Sequence, residues 1–276
     1  MEDLTVIILT KNEELNIENC INSVKPIAKR IVVMDSYSSD RTTEIAETLG
    51  AEIYQNTFEY HAKQYNTAIK LANPTSRWIL RLDADERLTS ESRSEIQSFI
   101  RNNENTNVNG FVLRFEVVFM GKKLRHGGIY PFRKMLLYRN GHAIMEDRMM
   151  DEHLVLLDGD MQYAKADSEH HDYKDLTRFI EKHNQYATKE ALQYFNNDGQ
   201  TRRGLAKRSR IKRFVKYAIY YKLPMYLRAK LYYFYRYYLL LGFLDGREGK
   251  LYAFFQAYWY RVLVDGKILE LKKGNK

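Results

Sequence analysis

The stretch Trp78-Ile79-Leu80-Arg81-Leu82-Asp83-Ala84-Asp85-Glu86 decides the fold. A short apolar run, broken once by Arg81, ends abruptly in three carboxylates, as a buried strand does when its carboxyl end opens onto solvent or a ligand. In an extended chain, side chains at i and i+2 point the same way, so Asp83 and Asp85 are expected to converge on one ligand. Open α/β sheets bind ligands at that end. Two carboxylates there suit a hard divalent cation, Mg²⁺ or Mn²⁺, shared with substrate phosphates. A solvated acidic turn would leave the same trace, because a bare D-x-D recurs by chance.

Upstream of this stretch, apolar runs alternate with helical spacing. Leu4 to Thr10, Ile31 to Asp35 and Ala51 to Gln55 read as strands, and Glu14 to Val24, Thr42 to Leu49 and His61 to Ala72 as helices. Asp40 is placed to cap the second helix and Gly50 to close it. Ser90 to Arg101 forms a fourth helix, capped by Thr89 or Ser90. This βαβαβαβ order predicts a mostly parallel sheet with helices on both faces. Phe111 to Phe119 and Lys134 to Arg139 read as later strands around a Gly-containing loop, 121–131. Leu176 to Phe195 reads as a helix, and Asn196 to Gln200 as a boundary. The expected organisation is a catalytic domain over 1–200 and a helical extension over 201–276.

Two further strand tips face the same cleft. Asp35 is followed by Ser36, Ser38, Ser39 and Asp40, and its carboxylate can accept from a base or ribose, or only cap the next turn. Thr10-Lys11-Asn12-Glu13-Glu14 follows the first strand. Neither G-x-G-x-x-G nor G-x-x-x-x-G-K-[ST] occurs, so a Rossmann dinucleotide site and a P-loop are unsupported.

LTKNEE, VVMDSYSSDRT, AKQYN and LRLDADE, in this order and spacing over roughly the first 90 residues, resemble the N-terminal half of family 2 glycosyltransferases. The resemblance implies a glycosyltransferase A fold and an inverting, metal-dependent hexosyl transfer. It implies that Thr10, Lys11, Asn12, Glu13 and Asp35 hold the nucleoside. It further implies that Lys63, Gln64 and Asn66 line the donor pocket, that Arg81, Asp83 and Ala84 complete it, and that Asp85 holds the metal on the diphosphate. One departure is Tyr37, which stands where a small residue, often Gly, is usual.

An inverting transfer needs a carboxylate to take the proton of the acceptor hydroxyl. Met150-Asp151-Glu152-His153-Leu154 supplies the candidates, with the apolar run from Leu154 to Leu157 behind them. The family's acidic pair, of which the second member usually acts as base, selects Glu152, with Asp151 next and Glu146-Asp147 as another acidic pair nearby. An acidic turn before a strand is the plain alternative. His170 and His171 can complete a metal shell or bind phosphate, a position where the family tends to carry a His, or can be loop residues. Arg125 and His126 are weaker candidates for contact with donor or acceptor.

Composition adds a location. The net charge of +9 is uneven: residues 201–276 hold 19 Lys and Arg against 4 Asp and Glu, a net of +15, with 12 of the 22 tyrosines. Residues 1–200 carry a net of −6. The lone Cys20 forms no internal disulfide and fits a reducing cytoplasm. The N-terminus lacks a basic n-region, so no secretory signal is expected. In 205–241, cations alternate with Tyr, Phe and Leu, but no stretch reaches the ~20 uncharged apolar residues of a spanning helix. Tyr favours the headgroup zone and Lys and Arg snorkel toward anionic lipid, so a peripheral position on the inner face of the cell membrane is expected. A helical subdomain packed on the catalytic domain, or a homo-oligomer interface, would use the same residues. The stretch LGFLDGREGKLYAFFQAYWYRVLVDGKILE resembles the C-terminal extension of bacterial members that build lipopolysaccharide core, capsule or exopolysaccharide. The expected partners are therefore a nucleotide sugar, with a UDP-sugar first, and a glycan or lipid-linked acceptor. A sugar nucleotidyltransferase would be expected to carry a Gly-rich phosphate loop where LTKNEE stands. A nucleic-acid-binding protein would explain the basic tail but not DADE, so no nucleic acid is expected.

Overall fold

The structure, a computed structural model, describes residues 1–147, 152–172, 174–195 and 207–274; the side chains of 207–210, 212 and 213, and the boundary read at 196–200, lie outside the described residues. It divides into two compact units. The first takes residues 1–115 and 133–171; the second takes 116–132 and, of the later described residues, 172, 174–195 and 207–274. The units do not follow the chain linearly: the helix over Leu176–Phe195 belongs with the C-terminal helices.

In the first unit, β1 (Leu4–Thr10), β2 (Arg30–Asp35), β3 (Glu52–Gln55) and β4 (Trp78–Asp83) lie in the parallel order β3-β2-β1-β4. Their connections are α1 (Ile17–Val24), α2 (Thr42–Thr48) and α3 (His61–Ala72). β1, β2 and β4 are short apolar runs bounded by polar turns, all seven residues of β1 are buried, and β3, EIYQ, is a partly exposed edge. Period-2 alternation gives both faces to the core. Ile7, Leu9, Val32 and Met34 pack with Ala62, Tyr65 and Ala68 of α3. Full burial of each such aliphatic side chain contributes about 1.5–3 kcal/mol. α1 buries Ile17, Cys20, Ile21 and Val24, at helical spacing. It begins three residues later than the spacing from Glu14 suggests: Asn16 N and Ile17 N both donate to Glu13 O, which turns the chain, and Leu15 is left exposed.

The sheet continues past β4 in mixed orientation. After a two-residue turn at Ala84-Asp85 come β5 (Glu86–Arg87), then α4 (Ser90–Asn102), whose cap Thr89 accepts from Ser92 N at 3.1 Å. β6 (Val108–Phe119), β7 (Lys122–Leu124), β8 (Phe132–Arg139), β9 (Ala143–Met145), β10 (Leu154–Leu156) and β11 (Asp160–His170) follow. The order runs β4-β8-β6-β11-β5, with β8 antiparallel to β4 and β5 antiparallel to β11. β9 and β10 form a separate antiparallel ribbon. This curled, mostly parallel sheet with flanking helices is a glycosyltransferase A-like fold. The loop expected over 121–131 contains β7, and the histidine pair, read as metal or phosphate ligands or as loop residues, starts at the last residue of β11.

The second unit is helical. α5 (Leu176–Phe195) precedes α6 (Lys207–Ala218), α7 (Leu227–Phe234), α8 (Gly246–Ala253) and α9 (Tyr260–Gly274). α7 runs into a π-helical turn over Tyr235–Leu239, and a second such turn, Phe254–Trp259, joins α8 to α9. Ala187 and Ala191 of α5 pack on Tyr260, Val264 and Ile268 of α9. Beside them, buried Glu190 accepts from Tyr260 Oη at 2.6 Å, Tyr221 Oη at 2.9 Å and Arg261 Nη1 at 2.9 Å, with Lys216 Nζ at 3.0 Å. Buried Asp265 accepts from Arg228 Nε and, at 2.8 Å, from Tyr226 N. Buried charge is tolerated here because each carboxylate is paired and hydrogen-bonded. In the same unit Asp245 accepts from His126 N and Nδ1, both at 2.8 Å, and from Arg125 N at 3.1 Å. His126 Nδ1 is thereby taken up by Asp245, while the Arg125 side chain, held to Glu116 at 2.6 Å, stays largely exposed.

Candidate active site at the strand ends

Strand register sets the site. Thr10 pairs with Asp35, and Leu9 with Asp83, so the carboxyl ends of β1, β2 and β4 finish at one level. The Ala84 N–H then donates to Leu9 O at 3.1 Å, turning the chain over the end of β1.

That turn corrects the expectation drawn from strand alternation. Ala84 and Asp85 are not extended, so Asp83 and Asp85 answer to different partners. Asp83 Oδ1 accepts from Arg81 Nη2 at 2.7 Å, and its Oδ2 lies 3.4 Å from Lys134 Nζ. Burial pushes the Asp83 carboxyl up, but Arg81, Lys134 and His61 outweigh it and hold the pKa down at about 2. Asp85 Oδ1 instead lies 3.6 Å from His170 Nε2, and Asp85 O accepts from His171 N at 2.8 Å. The pairing of β5 with β11, which sets His170 opposite Glu86, brings these residues together. His171 Nε2 is turned to Glu169, 2.9 Å away. Among the described residues, no three His, Cys, Asp or Glu side chains gather as a preformed metal cluster. The Asp85–His170 pair, one oxygen and one nitrogen donor facing each other, does fit Mn²⁺ or Mg²⁺ that also takes substrate phosphate oxygens.

Two neighbours, Glu86 and Lys134, carry no site role in the sequence and gain one here. Glu86 is fully buried; its Oε2 accepts from Asp83 N at 3.0 Å and its Oε1 from Lys134 Nζ at 2.7 Å. Burial works against the Lys134 charge, but Glu86 and Asp83 hold its pKa above the ordinary lysine value. In FRKMLLYR, Lys134 directly precedes the buried run 135–138, which is the trace the sequence offers of its position. Burial likewise opposes the Arg81 charge, and Asp83, Glu86 and Glu152 overcome it and raise its pKa. Glu152 therefore acts electrostatically on the same arginine that holds Asp83.

The acidic pairs near the ribbon separate by environment. Glu152 is half-buried just ahead of β10, whereas Asp151 lies outside the described residues. Glu146 is buried, and its N–H donates to His153 O at 3.0 Å. Asp147 is exposed and accepts from Tyr60 Oη at 2.6 Å. The ribbon thus sets Glu146 across from the 152–153 strand entry.

At the β1 and β2 tips the polar residues lock two loops together. Asp35, fully buried, accepts from Ser38 N at 2.9 Å, Ser38 Oγ at 2.5 Å and Gln55 Nε2 at 3.2 Å, so it caps the following turn. Asn12 N donates to Ser38 Oγ at 2.8 Å and Asn12 Oδ1 accepts from Ser39 N at 2.8 Å. Glu13 N donates to Thr42 Oγ1 at 2.8 Å, and Lys11 is exposed. Asp40 accepts from Thr42 N at 3.0 Å and from Glu14 N at 3.2 Å. Tyr37 adopts φ +56°, the left-handed region where glycine costs least, which explains why a small residue is usual there. On α3, buried Gln64 donates to Ser36 Oγ at 3.1 Å and accepts from Asn56 Nδ2 at 2.9 Å. Lys63, paired with Glu59, and Asn66 are exposed.

Residues 5–151 match the family described as Glycosyl transferase family 2. That is more than half of the chain, and the chain belongs to this family. Among similar proteins is an uncharacterized glycosyltransferase of Rickettsia typhi, 31% identical over 121 residues, covering 44% of this chain and 41% of that protein. Another, from Rickettsia bellii, is 42% identical over 94 residues, covering 34% of this chain and 31% of that one. The 4,4'-diaponeurosporenoate glycosyltransferase of Staphylococcus haemolyticus is 32% identical over 109 residues, covering 36% of this chain and 29% of that one. The chain thus matches less than half the length of these curated relatives. A solved structure, glucosyl-3-phosphoglycerate synthase from Mycobacterium tuberculosis with Mn²⁺, UDP-glucose and phosphoglyceric acid, is similar at 17% identity and TM-score 0.34, covering 41% of this chain and 43% of that one.

Proposed function

We propose that this glycosyltransferase transfers a hexose, with inversion, from a nucleotide sugar, a UDP-sugar first, to a cell-envelope glycan or glycolipid of the lipopolysaccharide, capsule or exopolysaccharide type. The observation that supports it best is the convergence at the strand ends: Asp85 and His170 at 3.6 Å, beside an arginine on which both Asp83 and Glu152 act. The loops locked by Asn12, Asp35 and Gln64 form a rigid rim for the nucleoside, since their polar atoms are already fixed by one another. Asp85 and His170 would hold Mg²⁺ or Mn²⁺, which when bound offsets the negative charge developing on the diphosphate. Arg81 and Lys134 fix Asp83 as an anion at the mouth of that site. Glu152 takes the proton of the acceptor hydroxyl as its oxygen attacks the anomeric carbon. The bond to the diphosphate breaks on the opposite face, so configuration inverts.

Among the described residues, no helix is long and apolar enough to cross a membrane. The reading places the enzyme peripherally on the inner face of the cell membrane, where a lipid-linked acceptor is met by search in two dimensions. The C-terminal helices serve as the attachment and the strand-end unit as the catalyst. The test is donor hydrolysis and transfer against a panel of UDP-, GDP- and dTDP-sugars, with and without Mn²⁺. Turnover of none of them would overturn the reading.

A further inference from the structure

Among the described residues, part of the basic, tyrosine-rich segment is turned inward. Arg228 is spent on Asp265 and Arg261 on Glu190, while Tyr221 and Tyr260 donate to Glu190 from inside the helical unit. Burial, reinforced by the Glu190 charge, pushes the Tyr221 and Tyr260 hydroxyls well above the ordinary range. Among the described residues the unit also exposes apolar surface, with Tyr226, Tyr235 and Tyr238 exposed beside it. Along α7 and the π-helical turn, Leu227, Leu231 and Phe234 recur at i, i+4 and i+7, and Leu239 follows at 63% exposure. Leu241, with φ +58°, turns the chain, and Leu244 after it is 54% exposed. The other side of α7 buries Arg228 and Ala229, so the helix is amphipathic with its apolar stripe outward, the reverse of a helix that only packs on a core.

The charges around this stripe are cationic. Lys222 and Lys230 are exposed on or next to α7, and Arg247 and Lys250 on α8. Of the four acidic residues after residue 200, Asp245 and Asp265 are buried in internal contacts and Glu248 lies 3.5 Å from Lys122. An outward apolar stripe flanked by lysine and arginine matches the boundary of an anionic bilayer, where alkyl groups enter the acyl layer and cations meet phosphate.

We propose that the stripe from Leu227 to Leu244 is the membrane-inserting face, holding the protein on an anionic lipid surface by apolar insertion first and by charge second. This rests on the membrane-surface reading above and names the residues that carry it. It differs from attraction by the basic segment as a whole in its response to salt: insertion persists where charge alone is screened.

The experiment uses the full chain and vesicles of phosphatidylcholine with and without phosphatidylglycerol. Wild type is expected to cosediment with the anionic vesicles and to keep a measurable part of that binding at 1 M NaCl. The triple variant Leu231→Ser, Leu239→Ser, Leu244→Ser is expected to lose about 10-fold or more in partitioning, the scale of several partly inserted leucines. Its circular dichroism and donor hydrolysis should be unchanged. Separately, Leu239→Trp is expected to shift its emission to the blue on anionic vesicles. Wild type that never cosediments would overturn the attachment and the face together. Wild type that binds while the triple variant binds equally would overturn the face alone. A wild-type dimer that the triple variant dissolves, without vesicle binding by either, would make the stripe a self-association surface and overturn the proposal.

Discussion

Lys134 Nζ lies 2.7 Å from Glu86 Oε1, joining the middle of β8 to the first residue of β5 through a carboxylate that has no exposed surface. The same ammonium stands 3.4 Å from Asp83 Oδ2, so it shares with Arg81 the balancing of the acidic turn from within. Lys134→Met leaves Glu86 buried and uncompensated, and should lower stability by about 3 kcal/mol, the scale of breaking one partner of a buried pair. Urea unfolding measures this, and adding Glu86→Gln to the same chain should recover part of the loss. Equal stability of Lys134→Met and wild type would show the pair to be dispensable.

Asp85→Ala should abolish Mn²⁺-dependent binding of the nucleotide sugar in calorimetry while leaving the thermal transition near that of wild type. Chelation with EDTA should have the same effect on the native protein. His170→Ala should weaken the metal dependence less than Asp85→Ala, since it removes a neutral donor rather than a charged one. Undiminished binding by a folded Asp85→Ala protein would remove this residue from the donor site.

Glu152→Gln keeps the shape of the side chain and removes its basicity. It should bind donor normally and lose transfer by about 10²-fold or more. Activity that survives there and disappears in Asp151→Asn would move the role by one residue. If both variants stay active, Glu146 and Asp147 come next, across the ribbon from Glu152.

The helical unit should be acid-sensitive through His183. This imidazole lies 2.7 Å from Phe179 O through Nδ1 and 2.6 Å from Gln256 Nε2 through Nε2, and its ring centroid lies 4.0 Å from that of Phe179, tilted by 32°. Those contacts suit a neutral ring that donates at Nδ1 and accepts at Nε2. Burial lowers its pKa, against the backbone bond to Phe179 and the charge of Asp172, while Lys182 lowers it further; the rings of Tyr186 and Tyr260 close the remaining sides. A base with a depressed folded-state pKa stabilises the fold fully above its unfolded value of 6.5, and that stability is lost as pH falls below it. The melting temperature should therefore drop between pH 8 and pH 5.5 in wild type. In His183→Phe, less stable at pH 8, the drop should be smaller. An identical drop in both proteins would assign the acid sensitivity elsewhere.

The parallel half of the sheet was legible because its strands are continuous apolar runs and its helices carry apolar residues at regular spacing, as in LTVIILT and His61–Ala72. The seam of β5 with β11 was not. β11 reads DMQYAKADSEH, a polar alternation with little burial, and β5 is two residues long; such strands are specified by their partners rather than by their own pattern. For the same reason Asp83 and Asp85 were expected side by side, whereas the turn between them sends one to Arg81 and Lys134 and the other to His170. Lys134 and Glu86 are named in the sequence only as a strand residue and a third carboxylate, because nothing local marks a buried ion pair whose members are 48 residues apart.

The β5–β11 seam also sets where this chain tolerates change in length. Two residues, Ala84 and Asp85, carry the backbone from the end of β4 to a strand hydrogen-bonded on the far side of β11. An extra residue there would reverse the alternation of β5 and swing Asp85 off its facing imidazole, because side-chain direction in a strand flips with each step. The turn at 104–107, between α4 and β6, closes no such circuit, but Arg77 and Arg139 donate to Glu104 O and Asp160 N to Asn107 O, so lengthening there breaks hydrogen bonds without turning a site side chain around. Among homologues of varied length, the spacing from Asp83 to Glu86 should therefore stay untouched.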